Sequence, residues 1–154
     1  MQTRIQSYIR SSYGIEFITL FAYCSKSVPG LDIVGLPGSQ ARMITEKIHY
    51  LTRSRKIKVP RKKFVLSVDH NLIDEKTFKK QVDKMELPLL LLYWSLAGAL
   101  PIKNLENCLV RGNLSVQGEL IQESLDEELM ESLQNKEYLK YLSQEDYLEV
   151  NTIR

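Results

Sequence analysis

Two kinds of hydrophobic spacing divide this chain. Over residues 4–26 the period is two. Ile5, Ser7 and Ile9 alternate with polar neighbours, and 15–23 (IEFITLFAY) is rich in β-branched and aromatic residues. That pattern predicts two strands with a turn at Tyr13-Gly14. A third short apolar run, 31–34 (LDIV), sits between two sets of breakers. Pro29-Gly30 reads as a tight turn and 35–38 (GLPG) as the corner that ends a strand. Connections this short favour antiparallel pairing of the three strands.

After the corner the period changes to that of a helix. Ala41, Ile44, Ile48 and Leu51 form one stripe, Ser39 is placed to cap the first turn, and Arg42, Glu46, His49 and Arg53 lie off the stripe. A basic connection, 52–63, is broken by Pro60, and 64–68 (FVLSV) predicts another strand. Residues 69–84 read as a polar, mobile loop with at most one short helical turn. The most apolar stretch is 87–100 (LPLLLLYWSLAGAL), with Pro88 suited to a first helical turn. It is too short for the roughly 18–20 residues of a membrane span and reads as a central core helix with Tyr93 and Trp94 as packing anchors. Residues 108–116 predict a strand, Gln117-Gly118 a hairpin turn, 124–134 an acidic helix, and 138–142 a short strand. Ser143 is placed to cap a last short helix over 144–150.

Composition narrows the picture. The 154 residues suffice for one domain with a core, and 44% apolar with 26% charged residues is ordinary for a globular protein. No export signal follows Met1, so Cys24 and Cys108 are expected to be reduced thiols in a cytoplasmic setting. Two cysteines with His49 and His70, all scattered, do not make a metal site, and no cofactor is expected. The net charge of +2 hides a split. Residues 42–84 carry 13 Lys/Arg against 5 Asp/Glu, and 104–154 carry 4 against 11. A basic and an acidic face are expected. Arg53, Arg55, Lys56, Lys58, Arg61, Lys62 and Lys63 concentrate positive charge densely enough to neutralise phosphates. Only Tyr50 and Phe64 flank that run, which argues for backbone contacts to nucleic acid rather than base stacking.

Several landmarks together resemble the N-terminal domain of the magnesium-chelatase-like competence proteins (the ComM/YifB family). Residues 28–37 (VPGLDIVGLP) are similar to that family's GLPGF-x-IVGLP signature, its most specific motif. Tyr13-Gly14-Ile15-Glu16 looks like its opening strand. Arg42 and Lys47 fall in the helix that follows the signature, and 62–68 resembles the next strand. Glu86-Leu87-Pro88 matches its D-L-P helix start, and 111–118 looks like its G-E-L-S-L-D-G segment. The resemblance covers about 13–120. It implies a Lon-protease-type α+β fold, like domain 2 of one ribosomal protein superfamily: a mixed sheet in β-β-β-α-β-α-β order with two main helices on one face. It also implies association with a ring-forming AAA+ ATPase working in DNA uptake or recombination.

The departures from the family shape the functional expectation. Lon-type proteases place a serine before the core helix and activate it with a lysine. Here 82–86 is Val-Asp-Lys-Met-Glu, with Lys84 where the serine would stand. Ser95 and Ser115 have no evident basic partner. The carboxylates Asp32, Asp69, Asp74 and Glu75 show no catalytic spacing, and Asp69-His70-Asn71 reads as a loop start. Gly35 to Gln40 lacks the lysine and spacing of a phosphate-binding loop. The expectation is one domain over 1–154, without an ATPase module and without enzymatic activity. It would serve as an interaction or adaptor domain for an ATPase chain or a second copy. The competing expectation is a nucleic-acid-binding module that meets DNA through the basic run 53–63. No membrane contact is expected.

Overall fold

The computed structural model describes residues 1–70, 73–102 and 104–147. The described residues form a mixed α+β fold built on a six-stranded mixed sheet, with four α-helices and a separate two-stranded ribbon. Strands β1 (Gln2–Ser11) and β2 (Gly14–Ser25) make a long antiparallel hairpin closed over Ser12 and Tyr13. Strand β3 (Gly30–Val34) does not pair with β2. Helix α1 (Gly38–Ser54) carries the chain across to β4 (Lys63–Asp69), which inserts between them, antiparallel to β2 and parallel to β3. The expected three-strand antiparallel run is therefore corrected. Strands joined through a helix can pair in parallel, and the apolar alternation of β4 is satisfied best in the buried place between two neighbours.

The corner between β3 and α1 explains its glycine. Gly35 has φ +95°, and a Cβ there would lie 2.4 Å from the carbonyl oxygen of Val68. Only glycine fits a positive φ pressed against a neighbouring strand. His70 Nε2 donates to the Gly35 carbonyl at 2.8 Å and its ring stacks on Phe78, which ties the corner to the segment after β4. Pro37, not Ser39, occupies the N-cap of α1, and no side chain caps the helix. Pro29-Gly30 has no positive φ, and Gly30 opens β3.

Residues 73–85 are more ordered than expected. Helix α2 (Glu75–Lys79), capped by Asp74, and a 3₁₀ turn (Val82–Met85) bury Phe78, Val82 and Met85. Asn71 lies outside the described residues. Helix α3 (Glu86–Leu96) follows directly and is buried nearly all round, as its composition requires. Trp94 is fully buried, and its Nε1 donates to Thr52 Oγ1 at 3.0 Å. Residues 108–116 are two strands, not one. Strand β5 (Cys108–Leu109) joins the main sheet beside β1, whereas β6 (Gly112–Leu114) pairs with β7 (Leu120–Gln122) as the separate ribbon. The chain leaves the sheet at Val110 and Arg111. Gly112 then passes so close to β7 that a Cβ would meet Ile121 O at 2.1 Å. Helix α4 (Glu127–Leu133) is capped by Asp126 and is shorter than the predicted span. Strand β8 (Lys140–Tyr141) adds in parallel to β5, giving the order β3-β4-β2-β1-β5-β8. Ser143 forms a capping box with Asp146 on a 3₁₀ turn (Gln144–Asp146), and 148–150 of the predicted last helix lie outside the described residues.

The sheet separates two apolar clusters. On one face Ile5, Ile9, Leu20, Phe64 and Leu66 pack against Ile44, Ile48 and Leu51 of α1 and most of the apolar residues of α3. On the other, Tyr8 and Leu109 pack with Leu129 of α4. The two longer helices thus share one side of the sheet. Cys24 is half-buried and Cys108 buried, and both are free thiols. Among the described residues, no helix is long and apolar enough to cross a membrane.

Candidate functional site

The start of α3 is where the resemblance places catalytic chemistry. The charged groups there bond to one another. Glu86 is buried, and its Oε2 lies 2.9 Å from Lys47 Nζ on α1 while its Oε1 accepts the Leu114 backbone N–H of β6 at 2.8 Å. One carboxylate therefore joins two helices and the ribbon. Lys84 Nζ reaches Asn113 Oδ1 at 3.5 Å. Among the described residues, the side-chain partners of these two amines are carboxylate and carboxamide oxygens, and neither amine bonds a hydroxyl or thiol. The serines singled out earlier lie elsewhere. Ser115 Oγ accepts the Gln117 and Glu119 N–H groups in the β6–β7 turn. Ser95 opens onto a cavity lined also by Arg4, Phe21 and Glu106.

The other candidate carboxylates have structural partners as well. Asp32 pairs with Lys63 at 2.5 Å across β3 and β4, Asp74 accepts the Thr77 N–H, and Glu75 pairs with Lys79 one helical turn on. Asp69 ends β4. His49 is half-buried with its ring edge-on to Tyr93, so it is less exposed than its position off the stripe suggested.

The basic run is divided by the fold. Arg55 follows α1, lies over the Trp94 ring with its guanidinium carbon 5.8 Å from the centroid, and donates to the Gly118 carbonyl at 3.2 Å. Burial holds its pKa below the usual arginine value. Lys63 is committed to Asp32, and Lys62 is half-buried before β4. Arg53, Lys56, Lys58 and Arg61 are exposed, and no carboxylate among the described residues pairs with them. Of the seven cations, four remain as a solvent-facing group. Phe64 is buried, as expected of a strand residue, and Tyr50 is exposed.

A polar cluster on the opposite side of the molecule escaped the sequence reading. The Arg111 side chain is 4% exposed; its Nη1 donates to Tyr8 O and to Gln81 Oε1, both at 2.8 Å. Its Nε lies 3.1 Å from Glu123 Oε2, an ion-pair contact without hydrogen-bond alignment. Arg10 reaches the same Glu123 oxygen at 3.1 Å, together with Asp126 and Glu128. Tyr8 Oη donates to Glu123 at 2.9 Å. Burial pushes the Glu123 carboxyl up, but Arg111, Tyr8 and Arg10 outweigh it, and the net shift is downward. Burial and the Glu123 charge raise the Tyr8 phenol. Every functional group here is used to bolt α4 and the ribbon to β1. Glu123 has no sequence signal beyond lying in an acidic stretch, because its partners Tyr8 and Arg10 lie more than a hundred residues away and the nearer Arg111 shows no spacing that would pair it.

The β3 edge of the sheet offers a different kind of surface. Strand β3 is the last strand, and a groove of about 440 Å³ runs beside it, lined by Leu31, Asp32, Ile33, Ala41, Arg42 and Thr45. No model of a known protein family matches the chain, nor does any curated protein sequence.

Proposed function

We propose that this chain is a non-catalytic interaction domain on a Lon-protease-type scaffold, acting by contact with a partner such as a ring-forming AAA+ ATPase chain or a second copy. One observation carries the reading. At the start of α3, Lys47 pairs with Glu86 and Lys84 faces Asn113, so the side-chain partners of these amines are a carboxylate and a carboxamide, not the hydroxyl that a Ser-Lys dyad requires. A Ser-Lys dyad needs a lysine amine within reach of the nucleophile's hydroxyl, and neither amine bonds one among the described residues. A fluorophosphonate probe and a fluorescent casein substrate test this. The expected result is no labelled serine and no cleavage; stoichiometric labelling of one serine abolishes the reading.

A second reading keeps one specific observation in its favour: Arg53, Lys56, Lys58 and Arg61 are exposed and without carboxylate partners among the described residues. Four cations support non-specific phosphate contact that weakens steeply with salt. Fluorescence anisotropy with short single-stranded and duplex DNA, at low and moderate salt, separates the two readings. Binding at low salt that is lost on reversing these four charges favours the nucleic-acid module, and no binding at low salt dismisses it.

A further inference from the structure

We infer that the free edge of β3 and the adjoining face of α1 form a docking groove for an extended, acidic segment of a partner protein, which adds to the sheet as a seventh strand. The inference rests on the interaction-domain reading above and gives it a place on the molecule.

The backbone supplies the first half of the case. In a parallel pair, alternate residues direct their N–H and C=O toward the same neighbour. Gly30 N donates to Lys62 O, and the register runs Gly30 to Lys63 through Val34 to Ser67. Gly30, Asp32 and Val34 therefore face β4, while Leu31 and Ile33 turn their amides and carbonyls outward. No backbone partner for Leu31 or Ile33 is found on that side among the described residues. Natural edge strands are commonly protected by lysine, proline or a bulge. Strand β3 is short and its one charge, Asp32, is paired with Lys63, but it has no lysine, proline or bulge between Gly30 and Val34, and its register with β4 is unbroken. The breakers Pro29 and Pro37 lie just beyond it, which limits an added strand to about the length of β3 itself.

Side chains supply the second half. Leu31 and Ile33 point toward α1, and Ala41, Arg42 and Thr45 of that helix form the opposite wall of the groove. Ala41 and Thr45 are small, which leaves room for an incoming apolar side chain. Arg42 is exposed at the rim and has no carboxylate within ion-pair distance among the described residues. Asp32, the one acid on the strand, is already neutralised by Lys63 on the outer face. The groove is thus apolar at its base, hydrogen-bonding along one side and cationic at its rim. Main-chain pairing gives such a site its affinity, and alternate side chains give its specificity. A carboxylate on the incoming strand completes Arg42. A second copy fits less well, because antiparallel pairing of two β3 edges about a twofold brings two α1 helices side by side and sets one cationic rim against the other.

A random-peptide phage library panned on the folded chain, followed by amide NMR with a selected peptide, tests the inference. The expected peptides are extended, alternate apolar with Asp or Glu, and perturb the Leu31 and Ile33 amides. Methylating alternate backbone nitrogens of the peptide should abolish binding without altering the protein. Arg42→Glu, an exposed change outside the core, should weaken the acidic peptide about tenfold or more and favour a basic one. Selection of no peptide, selection without acidic enrichment, or perturbations away from β3 overturns the inference. So does perturbation of the same amides by concentration alone, which would give the edge to a second copy. None of these outcomes bears on serine labelling, so the docking groove and the interaction-domain reading fail separately.

Discussion

Replacing Lys47 by methionine keeps the aliphatic stem packed between α1 and α3 and deletes the charge that faces Glu86. At 2.9 Å, with an effective dielectric near 20, the gross attraction is about 6 kcal/mol. Desolvation offsets part of that. Lys47 retains 20% side-chain exposure and Glu86 only 3%, so the burden falls mainly on the carboxylate. Removing one partner of a buried pair generally costs about 3–5 kcal/mol because the other charge is stranded. The Leu114 amide still serves Glu86 in the variant, which favours the lower end, about 3 kcal/mol. For a chain of this size that corresponds to a fall in Tm of roughly 6–12 °C, and to a urea midpoint lowered by roughly 1–3 M. The companion change Glu86→Gln preserves an acceptor for Leu114 and frees a lysine that can reach water, so it should cost less. The decisive quantity is the double variant, Lys47→Met with Glu86→Gln. It should be more stable than Lys47→Met alone, since the stranded charge is gone. Urea unfolding of all four proteins measures the cycle. A Lys47→Met protein within about 0.5 kcal/mol of the parent, or strictly additive single changes, would refute the view that Glu86 organises this end of α3.

Three further outcomes are expected. Gly35→Ala should cost at least about 1–3 kcal/mol for a side chain at positive φ, with more from overlap with the Val68 carbonyl; thermal unfolding by circular dichroism reports it, and an unchanged Tm would contradict the corner geometry. Glu123 titrates below its ordinary value of 4.5 in the folded chain, and a depressed carboxyl contributes stability that is present above that value and lost as pH falls through the folded one. Melting temperature should therefore drop on acidification below about pH 4.5, and Glu123→Gln should be less stable at neutral pH but less sensitive to acid; parallel pH profiles for the two proteins would count against the cluster. Ser7→Ala should leave stability unchanged or raise it by up to roughly 1 kcal/mol, because the buried Ser7 hydroxyl has no hydrogen-bond partner among the described residues, and a clear loss in urea unfolding would reveal a partner there.

What the sequence revealed depended on how local the cause was. The hairpin of β1 and β2 and helix α3 were legible because alternation, a turn glycine and an unbroken apolar run are properties of neighbouring residues. Helix α1 was legible in its stripe but not in its cap, since Ser39 and Pro37 compete within one turn and the geometry chose Pro37. The order of β2, β4 and β3 was not legible: which strand lies between two others depends on how α1 crosses, not on the composition of any strand. The segment 73–85 carried a signal that was passed over. Phe78, Val82 and Met85 recur at helical spacing, and all three are buried, but the lysines among them suggested solvent. The break at Arg111 hid for another reason. Apart from Gly112 and Asn113 the residues of 108–116 suit a strand, and the groups that hold Arg111 away from the main sheet, Tyr8, Gln81 and Glu123, all lie outside the stretch. Of the basic run, the sequence showed charge density but not the division of labour, because Trp94 and Asp32, which claim Arg55 and Lys63, lie far along the chain.

The sheet is completed by threads of very unequal strength. Ten residue pairs zip β1 to β2, whereas a single register pair, Gln6 with Leu109, joins β1 to β5, and two join β5 to β8. The bridge from β1 to β5, Gln6 to Leu109, also closes a loop of about a hundred residues, an entropic debt that the hairpin does not carry. The carboxy-terminal third should therefore detach first under stress. Its amides at Leu109 and Leu142 would take up deuterium while those of β2 stay protected, and limited proteolysis would begin there, leaving the hairpin and α3 as the last part of the molecule to come undone.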